Sequence, residues 1–159
     1  MVYGIGRIIL QNTITILDKN KNWLALDSNV FRNLDFINFL TLKKLDLHIF
    51  MPTIVQLEVG YYYKARGIIW EEFKKDIQKF GGIFIQWDNK LIPEAIRFAF
   101  IEKKHLPFKK HFRDFLIGVE CKNIPAPLIT YNKSHFTWLK DINIYTPEEY
   151  LNKLNLNID

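Results

Sequence analysis

Short apolar runs alternate along the chain with longer segments in which apolar residues recur every three or four positions. The apolar runs predict β-strands, and they are WLAL (23–26), LHIFM (47–51), IFIQW (83–87), PLIT (127–130) and INIY (142–145). The periodic segments predict helices over about 30–44, 53–63, 68–80, 90–104, 109–122 and 146–154. This alternation, with short connections, predicts a three-layer α/β/α sandwich around a central parallel sheet of about four or five strands.

Local signals predict where several helices begin and end. Thr53 and Gln56 have the spacing of a capping box, and Thr146 and Glu149 repeat that spacing near the end of the chain. Gly67 is expected to interrupt the helix that begins near residue 53, because glycine is a poor helix former. These positions predict short connections between the elements.

The chain is expected to form one domain, because 159 residues suffice for one hydrophobic core and no linker or repeat divides them. Residues 1–22 are interpreted as an N-terminal extension within that domain. Their segment RIILQNTITIL (7–17) alternates weakly, as a strand or hairpin does. Residues 23–159 carry the α/β pattern.

The charge balance permits a polyanionic partner, since 22 Lys and Arg against 17 Asp and Glu give a net charge of +5. The single cysteine, Cys121, excludes an internal disulfide and a cysteine-based zinc site. The N-terminus lacks a signal-peptide pattern, and no apolar run approaches the ~20 residues that cross a bilayer. We therefore expect a cytoplasmic protein with no membrane partner.

Acidic and amide side chains follow the predicted strands, at the edge of a parallel sheet where ligands bind. Asp27 ends the first strand, Glu58 lies one turn into the helix after the second, and Asn132 follows the fourth. Asp114 begins an otherwise apolar helical stretch. Such oxygen ligands suit Mg²⁺ or Mn²⁺, which can activate water for attack on a phosphodiester. Asp27 and Asp114 could instead be helix caps or first-turn acids, whereas Glu58 is harder to explain in that way.

At these residues the sequence resembles the PIN-domain nucleases, and among them the VapC-type toxins, over roughly residues 23–155. The resemblance rests on the order and spacing of several motifs, which are LALDSNVF (24–31), PTIVQLEVG (52–60), RDFLIGVECKN (113–123) and PLITYNKSHF (127–136). The segment INIYTPEEYLNKL (142–154) is similar to the closing strand and helix of that family.

The resemblance implies a PIN-like fold and a metal-dependent endoribonuclease that hydrolyses phosphodiester bonds in single-stranded RNA. It implies the toxin of a toxin–antitoxin pair, with a small antitoxin protein as partner and a homodimeric assembly. The residues that it assigns to the site are Asp27, Glu58 and Asp114 as ligands of Mg²⁺ or Mn²⁺, Asn132 to orient ligand or water, and Ser28 and Thr130 as polar supports.

Two alternatives to the toxin hypothesis stay open. One is a catalytically idle PIN-fold module for RNA binding or assembly, and the other is a housekeeping RNA-processing nuclease without antitoxin. His135 departs from the family pattern, because many relatives have an acid there. An intact set of acids argues against the idle module, which has no need of buried carboxylates.

The segment EKKHLPFKKHFR (102–113) places five basic residues beside Phe108 and Phe112 and directly before the acid at 114. One interpretation is an RNA-binding patch that tracks phosphates and stacks unpaired bases. The other is a solvated loop whose Phe side chains belong to the core. Tyr61–Tyr63 and Trp70 are expected in the core or in a dimer interface. The five basic residues are Lys103, Lys104, Lys109, Lys110 and Arg113.

Overall fold

The computed structural model describes residues 22–42, 47–124 and 126–155. The N-terminal segment for which a strand or hairpin is predicted lies outside these residues. The five strands are β1 (Asn22–Leu26), β2 (Leu47–Met51), β3 (Gly82–Phe84), β4 (Leu128–Ile129) and β5 (Ile144–Tyr145). The α-helices within the described residues are α1 (Leu34–Leu42), α2 (Thr53–Ala65), α3 (Trp70–Lys79), α4 (Ile92–Ile101), α5 (Phe108–Asn123) and α6 (Pro147–Asn155). Short 3₁₀ helices cover Ser28–Arg32, Asn89–Leu91 and Lys133–Phe136.

The strands form one parallel sheet in the order β3-β2-β1-β4-β5, flanked by the helices. The predicted three-layer α/β/α fold is therefore confirmed. Along the chain, β2 pairs with one side of β1, and β3 then pairs with β2. The next strand, β4, pairs with the other side of β1, so the direction in which strands are added reverses there. A crevice opens beyond the carboxyl ends of the strands where the direction of building reverses, which here is between β1 and β4.

The central strands are apolar because both faces of a parallel sheet are covered. Leu24, Ala25 and Leu26 of β1 are fully buried, as are Ile49 and Phe50 of β2. No helix in the described part of the chain has both the length and the apolar character needed to cross a bilayer.

Several predicted elements are shorter in the structure, among them β4, β5 and α4, and local contacts explain two further cases. The helix predicted from residue 30 begins at Leu34, because Ser28–Arg32 forms a 3₁₀ turn first and the Asn33 side chain then accepts from the Phe36 N–H. The strand predicted over 83–87 ends at Phe84. The carbonyl of Ile85 instead accepts a hydrogen bond from the Gln56 side chain.

The capping box predicted at Thr53 is wrong, whereas the one at Thr146 is confirmed. Glu120 takes the predicted place of Gln56: its carboxylate accepts from both the N–H and the hydroxyl of Thr53, at 2.9 and 2.7 Å. Burial raises the pKa of Glu120 to about 6, against these two hydrogen bonds, which lower it. Thr146 and Glu149 exchange the two reciprocal bonds of a capping box, at 2.8 and 3.2 Å.

Candidate active site

An open cleft of about 730 Å³ lies at the point where the strand order reverses. Asp27 enters it directly after β1, and Asn132 enters it after β4. Glu58 of α2 and Asp114 of α5 reach the same cleft. The four side chains that the sequence assigns to catalysis come from four separate segments of the chain, and the structure brings them together.

Asp27 is the most buried of the cleft carboxylates, with 5% of the residue exposed. Its Oδ1 accepts from the Ser28 N–H at 2.7 Å. Its Oδ2 accepts from the Thr130 hydroxyl at 2.7 Å and from the Asn29 amide at 2.9 Å. These three donors stabilise the carboxylate and fix its orientation.

The pKa of Asp27 is raised, chiefly because burial disfavours the charged form. The hydrogen bonds from Thr130 and Ser28 act against this shift, and the negative charges of Asp114 and Glu58 add to it. Asp114 and Glu58 therefore each lie within electrostatic reach of Asp27. Such like-charge crowding is typical of sites that a cation completes.

Thr130 joins the ends of the two strands that flank the cleft. Besides donating to Asp27, its buried hydroxyl accepts from the Asn132 N–H at 2.9 Å and from the Asn29 amide at 3.3 Å. The Tyr131 N–H donates to the Asn29 side chain at 3.2 Å. The predicted supporting role of Thr130 fits this network, and Ser28 contributes its backbone N–H and lines the cleft.

Glu58 is paired with Arg113 across the cleft. The Arg113 guanidinium donates to Glu58 Oε1, which joins α2 to α5. Arg113 is exposed, whereas the Glu58 side chain is partly buried. The basic residue next to Asp114 in sequence thus neutralises another carboxylate of the same cleft.

Asp114 contacts two imidazoles through one oxygen. Its Oδ2 lies 2.8 Å from Nδ1 of His111, one turn earlier on α5, and 3.2 Å from Nδ1 of His135. The two rings face each other edge-on, with centroids 4.5 Å apart and an interplanar angle of 82°. His135 thus contacts a carboxylate of the site.

The residues present fit a hard divalent cation. Within residues 22–42, 47–124 and 126–155, no hydrogen bond or ion pair engages the second carboxylate oxygen of Glu58 or of Asp114. Among the residues that the structure describes, Asp27 Oδ1 accepts one hydrogen bond, which leaves a lone pair for a cation. Carboxylate oxygens that face an open, water-accessible cleft are the ligands that Mg²⁺ and Mn²⁺ prefer.

The structure adds four polar side chains that the sequence motifs did not assign to the site, which are Asn29, Arg32, Tyr61 and Tyr62. The two tyrosines lie three and four residues after Glu58, so helical spacing alone could have placed them on its face. Tyr61 and Tyr62 are 70% and 52% exposed. Tyr63 packs against the buried Phe73, with ring centroids 4.9 Å apart, as the prediction of a core position requires. Asn29 lies in the DSN tripeptide at the end of β1, which was a usable signal.

The basic residues and the two phenylalanines of the stretch are exposed, whereas Leu106 is buried and Glu102 and His111 are partly buried. Phe108 and Phe112 are 55% and 40% exposed, so the alternative that placed their rings in the core is wrong. Their ring centroids lie 6.3 Å apart on the first turns of α5. The four lysines are also exposed, two before α5 and two in its first turn.

No protein-family model matches the chain, and no curated protein sequence is significantly similar to it.

Proposed function

We propose that this chain is a metal-dependent endoribonuclease of the PIN type that hydrolyses phosphodiester bonds in single-stranded RNA. The observation that carries the proposal is the convergence of Asp27, Glu58 and Asp114, from three separate elements, on one open cleft where the strand order reverses. Structural caps explain single acids at helix ends, but they give no reason for three acids to share a cleft.

Asp27, Glu58 and Asp114 would hold Mg²⁺ or Mn²⁺. When bound, such an ion lowers the pKa of water and neutralises charge on a phosphodiester. Three hydrogen-bond donors keep Asp27 in one orientation, so the ligand geometry is organised before substrate arrives. Asn132 is held through its N–H by Thr130, and its side chain at the cleft can orient water or a phosphate oxygen.

The surroundings of the cleft suit an unpaired nucleic-acid strand. Arg113 can exchange its partner Glu58 for a phosphate, which a guanidinium binds through two parallel hydrogen bonds. Tyr61 and Tyr62 border the cleft, and Phe108 and Phe112 lie six and two residues before Asp114 on α5. Exposed aromatic rings stack bases that are free of a duplex.

The biological setting is proposed from the resemblance to VapC-type toxins. It comprises action in the cytoplasm, a small antitoxin protein and a homodimer. A housekeeping nuclease would have the same chemistry without the antitoxin. A short overlapping reading frame upstream, whose product binds this chain and blocks cleavage, separates the two.

The idle RNA-binding module has one observation in its favour. The ion pair between Arg113 and Glu58 gives a carboxylate of the cleft a structural use that needs no metal. Such a module would bind RNA equally well with and without divalent ions.

The decisive experiment is cleavage of a single-stranded RNA by the purified full chain. We expect cleavage with Mg²⁺ or Mn²⁺ and none with EDTA. Asp27→Asn and Asp114→Asn should abolish cleavage while circular dichroism shows an intact fold. Asp35→Asn, which changes an exposed acid in the first turn of α1, is the matched control and should cleave like the parent.

Two results would contradict the proposal. Cleavage that persists in EDTA would exclude the metal. RNA binding without cleavage in the parent, unchanged in both aspartate variants, would favour the idle module.

A further inference from the structure

A second group of metal-ligand side chains lies beside the carboxylate cleft, where α5 faces the 3₁₀ helix Lys133–Phe136. His111 and Asp114 lie on α5, and His135 lies in the 3₁₀ helix. One ligand atom from each of the three side chains lies within 4.8 Å of the other two. The three side chains are partly buried, so their rotamers are restricted.

Two distances in this cluster are close to those within a metal site. Ligand atoms bound at about 2.1 Å to one tetrahedral or octahedral metal lie roughly 3 to 3.4 Å apart. Asp114 Oδ2 lies 2.8 Å from His111 Nδ1 and 3.2 Å from His135 Nδ1. The three ligand atoms all lie within 4.8 Å of one another, so side-chain adjustments can bring them around one ion.

An unsatisfied nitrogen gives an independent reason to place a cation here. In the described part of the chain, His135 Nδ1 is buried from solvent and makes no hydrogen bond, although Asp114 Oδ2 lies 3.2 Å away. A buried polar atom without a partner lowers stability, and a coordinated ion would satisfy it. The Trp138 indole donates to the His135 carbonyl at 3.0 Å, which holds the backbone of this residue in place.

We propose that His111, Asp114 and His135 form a Zn²⁺ site. Its two imidazole ligands distinguish it from the all-oxygen site at Asp27 and Glu58. Imidazole nitrogen is a preferred ligand of Zn²⁺ and a poor one for Mg²⁺. Two imidazoles and one carboxylate leave a fourth position for water or a ligand atom. Asp114 also lines the cleft, so the two sites share one residue and differ in the others.

The test is titration of the metal-free full chain with Co²⁺, which replaces Zn²⁺ and absorbs visible light in nitrogen-containing sites. We expect absorption bands that saturate with one ion per chain and disappear when Zn²⁺ is added. His111→Ala and His135→Ala should each weaken Co²⁺ binding at least about tenfold, since even the outer partners of metal ligands have effects of that size. His105→Ala, an exposed histidine before α5, is the matched control and should bind like the parent.

Glu58→Gln separates this site from the one proposed for catalysis. This variant should keep the Co²⁺ bands and lose Mn²⁺ binding. If Co²⁺ binding is lost in Glu58→Gln and kept in the histidine variants, the zinc site is overturned. If the parent cleaves no RNA but shows histidine-dependent Co²⁺ bands, the nuclease proposal fails and the zinc site stands.

Nuclear magnetic resonance of the parent chain covers the case in which a histidine variant does not fold. Zn²⁺ should shift the imidazole resonances of His111 and His135 and leave those of His105 in place. Unshifted resonances at 111 and 135 would overturn the proposal.

Discussion

Asp27 combines two roles that the sequence presents as alternatives. It caps the 3₁₀ helix Ser28–Arg32 through its bond from the Ser28 N–H, and it also lines the cleft. The two carboxylate oxygens accept from different donors. Oδ1 accepts from the backbone N–H of Ser28, and Oδ2 accepts from the side chains of Thr130 and Asn29. Capping therefore does not exclude metal binding at this carboxylate.

Thr130 gives a residue-scale prediction about Asp27. Thr130→Val keeps the shape of the side chain and removes the hydroxyl that lowers the pKa of Asp27, so that pKa should rise further. Metal ligands must be deprotonated, so the acid limb of the pH–rate profile for cleavage should move to higher pH. The carbon-13 chemical shift of the Asp27 carboxyl, followed against pH, measures the pKa. The pH–rate profile for cleavage measures the movement of the acid limb. Loss of a buried hydrogen bond to a charged group should also reduce stability by roughly 1.5–3 kcal/mol.

Thr130→Ser supplies the comparison, because it retains the hydroxyl and loses only a methyl group. Its pH–rate profile should overlie that of the parent. Equal profiles for the valine variant and the parent would show that Thr130 does not tune Asp27.

At the scale of one element, α5 contributes three charged or imidazole side chains to the cleft and the cluster beside it. It carries His111, Arg113 and Asp114 within about one helical turn of its first half. Further along the helix, Gly118 lies against the ring of Trp138, and a Cβ at this position would overlap that ring. The absence of a side chain at 118 thus lets the segment after β4 approach α5, which brings His135 to Asp114.

The lysines around the start of α5 give the element-scale prediction. If they track the RNA backbone, each lost contact should lower the salt dependence of log affinity by roughly 0.7 on a single strand. Replacing Lys103, Lys104, Lys109 and Lys110 by Ala should then lower that slope by about 3. The rate at saturating RNA should change little, because these contacts bind substrate and transition state alike. Filter binding over a range of salt concentrations measures the slope.

Two double variants that remove the same number of charges separate the effect of a lysine's position from the effect of net charge. The Lys109/Lys110 double Ala variant removes two charges beside the cleft, whereas the Lys74/Lys75 variant removes two from α3, which contributes no residue to it. Only the first should change the salt slope. Equal effects of the two pairs would return the basic stretch to the solvated-surface interpretation.

At the scale of the whole molecule, the sheet and the acids of the cleft were predictable because their signals are local. Apolar runs such as LHIFM mark buried strands, and parallel strands end at one edge, so Asp27 and Asn132 had to lie near each other. The Thr146 capping box is confirmed for the same reason, since its partners are three residues apart.

The features that sequence reasoning missed depend on distant partners. Thr53 binds Glu120, which lies 67 residues away, so the local box with Gln56 does not form. Arg113 pairs with Glu58, 55 residues earlier in the chain, and no spacing rule indicates this contact. The approach of His135 to Asp114 likewise follows only from the packing of the segment after β4 on α5.

A metal held by three elements should stabilise the entire fold, and this is the whole-molecule prediction. Asp27 follows β1, Glu58 lies in α2 and Asp114 lies in α5, so unfolding destroys the site and an ion that binds only the folded state raises stability. At a Mn²⁺ concentration of about 100 times Kd, the gain is about 2.7 kcal/mol. For a chain of this size that corresponds to a rise in Tm of roughly 5–10 °C.

Calorimetry with Mn²⁺ and with EDTA measures the difference. Glu58→Gln should lose most of the rise and Asp35→Asn should keep it. A Tm of the parent that is the same in Mn²⁺ and in EDTA would mean that the carboxylates do not act together as a metal site.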